Sequence, residues 1–248
     1  MYANNDLLSL NYNGHNSTEF NLAIANRPPY TAPKRQVERL IVEGRHGDLM
    51  LDNGRYENVE FSILFFIIDG VDNLRNQASE IFNWLKVNFQ YTQFFLSDDP
   101  HYFYLASCTS ELNLFEFEEL YDNGSLNVEF VRKPQRFSRI GQEVITLDKP
   151  NTIFNPETQE SAPQITIFGN GNITLIVNNL TVAFNNVNDY VVIDSEFMNC
   201  FKVENGKKVS QNHLKITLEY PNFKVGKNEI SWVGNVSKIE VIGRWWRL

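Results

Sequence analysis

The sequence predicts a mainly β protein, in which an N-terminal α+β domain (a β-sandwich or split barrel with one helix) precedes an all-β sandwich. Three observations lead there. Aromatic residues make up 13% of the 248-residue chain, with 19 Phe and 10 Tyr, a weighting that suits pleated, half-buried surfaces. Asn-Gly occurs at Asn13-Gly14, Asn53-Gly54, Asn123-Gly124, Asn170-Gly171 and Asn205-Gly206. Both residues tolerate the positive φ that tight antiparallel hairpins require. A clear 3.6-residue apolar repeat occurs in one segment, near residues 72–88.

The elements follow in chain order. Residues 26–35 carry three prolines and read as an extended arm, because Pro lacks the donor a central strand needs. Residues 61–68, apolar except Ser62, read as a strand buried on both faces or in a broad sheet core. Asp72 is placed to cap the helix. Leu74, Ala78, Ile81, Phe82 and Leu85 then share one face, Arg75, Asn76, Gln77, Glu80 and Asn83 take the other, and the helix should end near Asn88. Residues 91–96 read as a strand, and residues 114–120 and 126–130 as a hairpin about Asn123-Gly124. The basic, Pro-containing stretch 133–139 suits a linker, which puts the domains at 1–137 and 138–248. Beyond it, residues 164–168, 173–177, 181–184, 190–193, 214–220, 228–233 and 238–242 read as short strands, with residues 201–203 and Val209 flanking the turn at Asn205-Gly206. Such a series suggests a β-sandwich.

Composition excludes several classes. Hydrophobic residues at 42% and charged residues at 21% allow a real core and rule out wholesale disorder. Two cysteines, Cys108 and Cys200, exclude a disulfide scaffold and a Cys-based zinc cluster. A net charge of −8 argues against a general nucleic-acid coat. The acidity is one-sided: residues 1–140 hold 12 Lys and Arg against 19 Asp and Glu, and residues 141–248 hold 10 against 11. The first ten residues lack the basic start of a signal peptide, and an eight-residue apolar run is too short to span a bilayer as a helix, so no membrane insertion is expected. Without a secretion signal, the sequons at Asn16, Asn172 and Asn179 read as chance in an Asn-rich chain.

The candidates for chemistry are weak. His15, His46, His101 and His213 form no metal-ligand spacing. Cys108 reads as a small buried strand residue. Glu116, Glu118, Glu119 and Asp122 could supply a glycosidase pair, but acids alternating with aromatics fit the wet face of a strand better. Asp98-Asp99-Pro100 reads as the start of a turn rather than a calcium site. The glycines of residues 169–172 precede a β-branched strand rather than a helix, so they are no phosphate cradle. No catalytic, cofactor or metal residue is expected. Trp232, Trp245 and Trp246 are the candidate contacts for a sugar or a partner, although core packing is the default for such residues. Adjacent strand residues point to opposite faces, so at most one of Trp245 and Trp246 faces the core.

The order of motifs resembles a known family. Residues 37–51, Val-Glu-Arg-Leu-Ile-Val-Glu-Gly-Arg-His-Gly-Asp-Leu-Met-Leu, resemble the strand, Gly-Arg-x-Gly, strand element of siphophage distal tail (Dit) proteins. Tyr56 and the long strand after it, the single helix, and Asp194-Ser195-Glu196 following residues 190–193 all fall where that family has similar features. Tyr220-Pro221 and Val225-Gly226-Lys227-Asn228 match its aromatic-Pro and Pro-Gly-x-Asn segment, with Val225 in place of Pro. The resemblance implies a C-terminal galectin-like β-sandwich and a structural role in the virion, at the tail tip, after synthesis in the bacterial host cytoplasm. It implies a homo-hexameric ring between the tail tube protein and the tail-tip or tail-associated protein, with receptor-binding or baseplate proteins attached. DNA would pass the central channel without specific binding. A ring gives the arm a use: Pro28, Pro29, Tyr30, Pro33, Lys34 and Arg35 are the candidate inter-subunit contacts, the alternative being a loop packed on its own domain. The competing reading of the whole chain is a lectin-like protein that binds host cell-wall sugars.

Overall fold

A computed structural model describes residues 7–69, 73–112 and 126–248. Among the described residues the chain is mainly β, with one α-helix and sandwich-like curled sheets. It divides into two compact units, residues 1–136 with Leu248, and residues 137–247. Among the described residues no helix is long and apolar enough to cross a membrane.

The first unit contains β1 (Leu10–Tyr12), β2 (His15–Asn16), β3 (Leu22–Ile24), β4 (Arg35–Leu40), β5 (Leu49–Tyr56), β6 (Val59–Ile67), α1 (Leu74–Lys86), β7 (Thr92–Leu96), β8 (Tyr102–Cys108) and β9 (Leu126–Arg132). An antiparallel sheet runs in the order β2-β1-β7-β8-β9-β6-β3, while β4 and β5 form a separate two-stranded ribbon. Asn13 and Gly14, both at positive φ, make the tight turn from β1 to β2. The helix is capped by Asn73, whose side chain accepts from the Asn76 N–H at 3.1 Å. This corrects the cap expected at Asp72, which lies outside the described residues. The helix also closes at Lys86, with Val87 as its C-cap, two residues short of the expected end.

The helix buries Ala78, Ile81 and Leu85, and with them Trp84, against the sheet. Trp84 was not on the expected face. It turns inward because its indole N–H donates to the Tyr12 carbonyl at 2.8 Å. The Tyr12 ring is fully buried among Trp84, Phe94 and Phe130, at centroid distances of 6.3, 6.3 and 5.4 Å in edge-to-face geometry. Each such pair contributes about 0.5–1.5 kcal/mol beyond its area burial. The Tyr12 hydroxyl accepts from the Cys108 N–H at 3.1 Å, so β1, β8 and the helix are fastened at one point. β6 alternates rather than being buried on both faces: Val59, Ile63 and Phe65 are buried, while Leu64 and Phe66 are half-buried on the other side. It runs between β9 and β3, with only one face turned to the core.

At the division, β10 (Arg136–Ser138) pairs with the terminal β19 (Trp246–Arg247). The second unit contains β11 (Val144–Leu147), β12 (Asn151–Asn155), β13 (Gln164–Val177), β14 (Leu180–Val187), β15 (Tyr190–Asp194), β16 (Asn199–Glu204), β17 (Lys207–Ser210) and β18 (Gly226–Ile242). Two pairs of expected strands are single long ones. Residues 164–168 and 173–177 join into β13, and residues 228–233 and 238–242 join into β18. The register of this pair shifts between Phe168 and Gly169, and again between Asn170 and Thr174. There the strands bend, so that one end of the pair meets β11 and β15 and the other meets β12 and β14. The bend brings the backbones together. A Cβ on Gly234, at φ 121°, would stand 2.6 Å from the Asn172 carbonyl oxygen. Asn170-Gly171 therefore marks a bulge inside a strand, not a hairpin turn, and Asn53-Gly54 likewise lies within β5. Asn205-Gly206 is the true turn between β16 and β17, and Asn123-Gly124 lies outside the described residues, as does the expected strand at 114–120.

Residues 214–220 are not a strand. The segment starts in a 3₁₀ turn at Asn212–Leu214 and touches β14 by one bridge, Phe184 to Lys215. Its alternation does not make a continuous buried face: Leu214 and Tyr220 at the ends pack against the core, but Ile216 and Leu218 between them are exposed. The core of this unit runs from Ile165, Ile167 and Leu175 to Phe223, Ile239 and Val241.

Candidate functional site

The candidate surface is in the first unit. The ribbon β4–β5 pairs Val37 with Asp52, Glu38 with Leu51, Arg39 with Met50 and Leu40 with Leu49. Partners across an antiparallel pair share a face. Glu38, Leu40, Leu49 and Leu51 are therefore on one side, and Val37, Arg39, Met50 and Asp52 on the other. The turn at 41–48 needs Gly44 and Gly47, both at positive φ. Leu40, Ile41, Val42, Met50 and Leu51 are all exposed, Ile41 to 88%.

The expected arm, residues 26–35, leads into this ribbon but is fastened along its own unit. Pro33 is buried, Pro28 is half-buried, and Pro29, Lys34 and Arg35 are exposed. Tyr30 is 63% exposed, and its hydroxyl donates to the Leu248 carbonyl at 2.5 Å. Arg27 pairs with Asp98 at 2.8 Å, and the Glu57 N–H donates to the Lys34 carbonyl at 2.8 Å. Arg35 grips Asp52 and the Tyr56 hydroxyl, and holds the Asp52 carboxyl down at about 2.

Beneath the arm lies a cluster of arginines and tyrosines. Arg132 is 6% exposed, lies 4.2 Å above the Tyr104 ring and donates to the Thr31 carbonyl at 2.7 Å. Arg136 lies 4.2 Å above the Tyr102 ring and pairs with Asp99 at 2.6 Å. Burial pushes the Tyr104 hydroxyl up and the Arg132 guanidinium down from their ordinary values. Cation–π stacking of this kind is worth about 2 kcal/mol when desolvated. Asp98 and Asp99 are thus engaged by Arg27 and Arg136 in the turn between β7 and β8.

The other expected positions are scattered. Trp245 is a core residue, 5% exposed. Trp246 is half-exposed and its indole N–H donates to the Glu160 carbonyl at 2.8 Å, while Trp232 is half-buried in β18 opposite Leu175. Glu116, Glu118, Glu119 and Asp122 lie outside the described residues. Among the described residues no group of three or more His, Cys, Asp or Glu is placed to hold a metal ion. Cys108 and Cys200 are buried and free, and burial pushes the Cys200 thiol up to about 11. Sequence reasoning missed the exposed apolar side chains of the ribbon, although their segment carried the family resemblance. Apolar residues on both parities of the strand pair were the available signal.

No protein-family model matches the sequence, and no curated protein does. Solved structures do. The fold is similar to that of chains from a phage hub and a phage baseplate. The Dit protein of phage SPP1, described as a paradigm of the hub adsorption apparatus in phages infecting Gram-positive bacteria, matches with a TM-score of 0.67 at 12% identity, over 98% of this chain and 100% of that one. Chains of the phage p2 baseplate in its activated conformation match at TM-scores of 0.54 with Sr and 0.52 with Ca, at 10% and 11% identity, each over 95% of this chain and 96% of the other. The chain has the Dit-like fold.

Proposed function

We propose that this chain is a structural hub of a phage tail, acting by assembly and carrying out no reaction. The observation that supports this most is the end-to-end correspondence of both units with SPP1 Dit, with no large insertion on either side. In this reading six copies close into a ring through the first domain, the second domain projects outward, and a central channel lets DNA pass. The tail tube protein sits on one side and the tail-tip or tail-associated protein on the other. Receptor-binding or baseplate proteins attach to the ring at the tail tip of the virion.

The charge distribution supports the channel. A net −7 on residues 1–140 is repeated in six copies, and the part of it that lines the bore makes a negative wall that repels passing DNA instead of holding it. The lectin reading loses ground because Trp245, one of its three aromatic candidates, lies in the core. Gold labelling of a C-terminal tag on purified particles tests the hub reading. Label at the tail tip is the expected result. Label on the head, or particles without the chain, would end it.

A further inference from the structure

Resting on the ring reading above, we infer that neighbouring copies meet by the apolar face of the β4–β5 ribbon of one lying on Val87 and Phe89, at the exit of α1, of the next. A ring closed by head-to-tail contacts needs two different patches on each subunit. Among the described residues of the first unit, the large exposed apolar side chains fall in two places. One is the ribbon and its approach, and the other is Val87 with Phe89, the latter 90% exposed. Two unlike patches on one unit, neither covered by the other, are the minimum such an interface requires.

The ribbon needs a partner. Among the described residues no third strand pairs with it, and a lone two-stranded ribbon is marginal in water. The charges match as well. On the ribbon's Leu40, Leu49 and Leu51 face, Glu38 is the charge beside the leucines, and alternation along β5 puts Arg55 on that face nearer the root. In sequence, Lys86 stands three residues before Phe89, its ammonium directed at the Cys108 carbonyl at 3.4 Å, and the Lys133 ammonium lies 5.8 Å from the ring of Tyr91, two residues after Phe89. Residues 35–56 also balance four Arg against four Asp and Glu, so this is the part of an acidic unit that can approach a second copy without repulsion.

Geometry points the same way. Val59 pairs with Arg132, Arg132 with Ala106, and Ala106 with Thr92. The ribbon ends just before Val59 and the α1 exit just before Thr92, so both arise at one end of the sheet. Asn58 donates to the Tyr91 hydroxyl there at 2.8 Å. Rotation about a ring axis keeps each patch at its own height, so the contact requires the ribbon to run around the ring from its root rather than along the axis. The eight residues of β5 span about 26 Å, a length that lets the ribbon tip reach a neighbour from its own root.

The test uses the full chain. Glu38→Lys and Lys86→Glu each reverse one exposed charge and should raise the concentration for half assembly about three- to tenfold, measured by analytical ultracentrifugation, while the double reversal recovers it. Independently, a chain with Leu40→Cys is mixed with a chain with Phe89→Cys and treated with a short bismaleimide. Covalent dimers are expected from the mixture and from neither chain alone, since Cys108 and Cys200 are buried. A wild-type chain that forms rings, with no rescue by the double reversal and no cross-link in the mixture, overturns this contact and leaves the ring reading standing. A chain that stays single, alone and with its tail neighbours, and gives no cross-link overturns both.

Discussion

Replacing Arg244 by alanine should destabilise the second unit by about 3–5 kcal/mol, the cost of leaving a buried carboxylate without its partner. Asp194 is 1% exposed, and both of its oxygens accept from the Arg244 guanidinium, at 2.6 and 2.8 Å. It also accepts from the Phe197 N–H at 3.3 Å. Burial alone would raise the Asp194 carboxyl, but Arg244 outweighs it and holds the carboxyl below its ordinary value. The folded state therefore favours the charged form. This contribution is complete above the unfolded pKa of about 3.9 and fades as pH falls through the lower folded value. In the Arg244→Ala chain the carboxyl has lost its cation and is raised instead, so acid relieves that variant. Urea titrations followed by tryptophan fluorescence, at pH 7 and at pH 4, measure both. The gap between wild type and variant should be several kcal/mol at pH 7 and shrink at pH 4. Asp194→Ala should cost less, and the double substitution less than the sum. A loss below about 1 kcal/mol at pH 7, or strict additivity of the two substitutions, would refute the buried-pair account.

Other substitutions separate the remaining claims. Gly234→Ala should lower the stability of the second unit by about 2 kcal/mol or more, because its Cβ meets the Asn172 carbonyl at 2.6 Å and φ is 121°; a neutral result by the same titration contradicts the bend geometry. Asn73→Ala should cost about 1 kcal/mol through the lost helix cap, read as a lower urea midpoint for the first unit, whereas Asp72→Ala should leave that cap intact. Tyr12→Phe should cost about 1–3 kcal/mol, since the buried Cys108 N–H loses its acceptor, and amide exchange at Cys108 should quicken; unchanged exchange would mean that bond is not made.

The helix and the strands β6, β7, β9, β13, β14, β15 and β18 were legible because each is short-range: its apolar spacing and its turn residues lie within one window, whereas β3, β8, β11 and β12 were not anticipated. What was not legible depends on partners far along the chain. Asn170-Gly171 has the chemistry of a hairpin turn, but Val233 to Val236 of β18 run beside it and keep the strand going. The alternation at 214–220 is that of a strand, yet no neighbouring strand completes a ladder. Trp84 sits where the helical repeat leaves a choice of face, and the Tyr12 carbonyl, 72 residues away, decides it. The candidate surface was half legible. The segment from Val37 to Leu51 stood out by its resemblance, but its exposure follows from the absence of a third strand, which no local pattern encodes. Phe89 followed the helix as an ordinary aromatic, and only its 90% exposure distinguishes it.

The central claim is that copies of this chain close into a hollow collar. Cryo-electron microscopy of the purified chain, alone and with its tail-tube and tail-tip neighbours, tests it most directly. Six subunits around an open bore, with the first domain inside and the second outside, is the predicted image. A particle that remains single with every neighbour present, or an assembly with no passage through its centre, would contradict it.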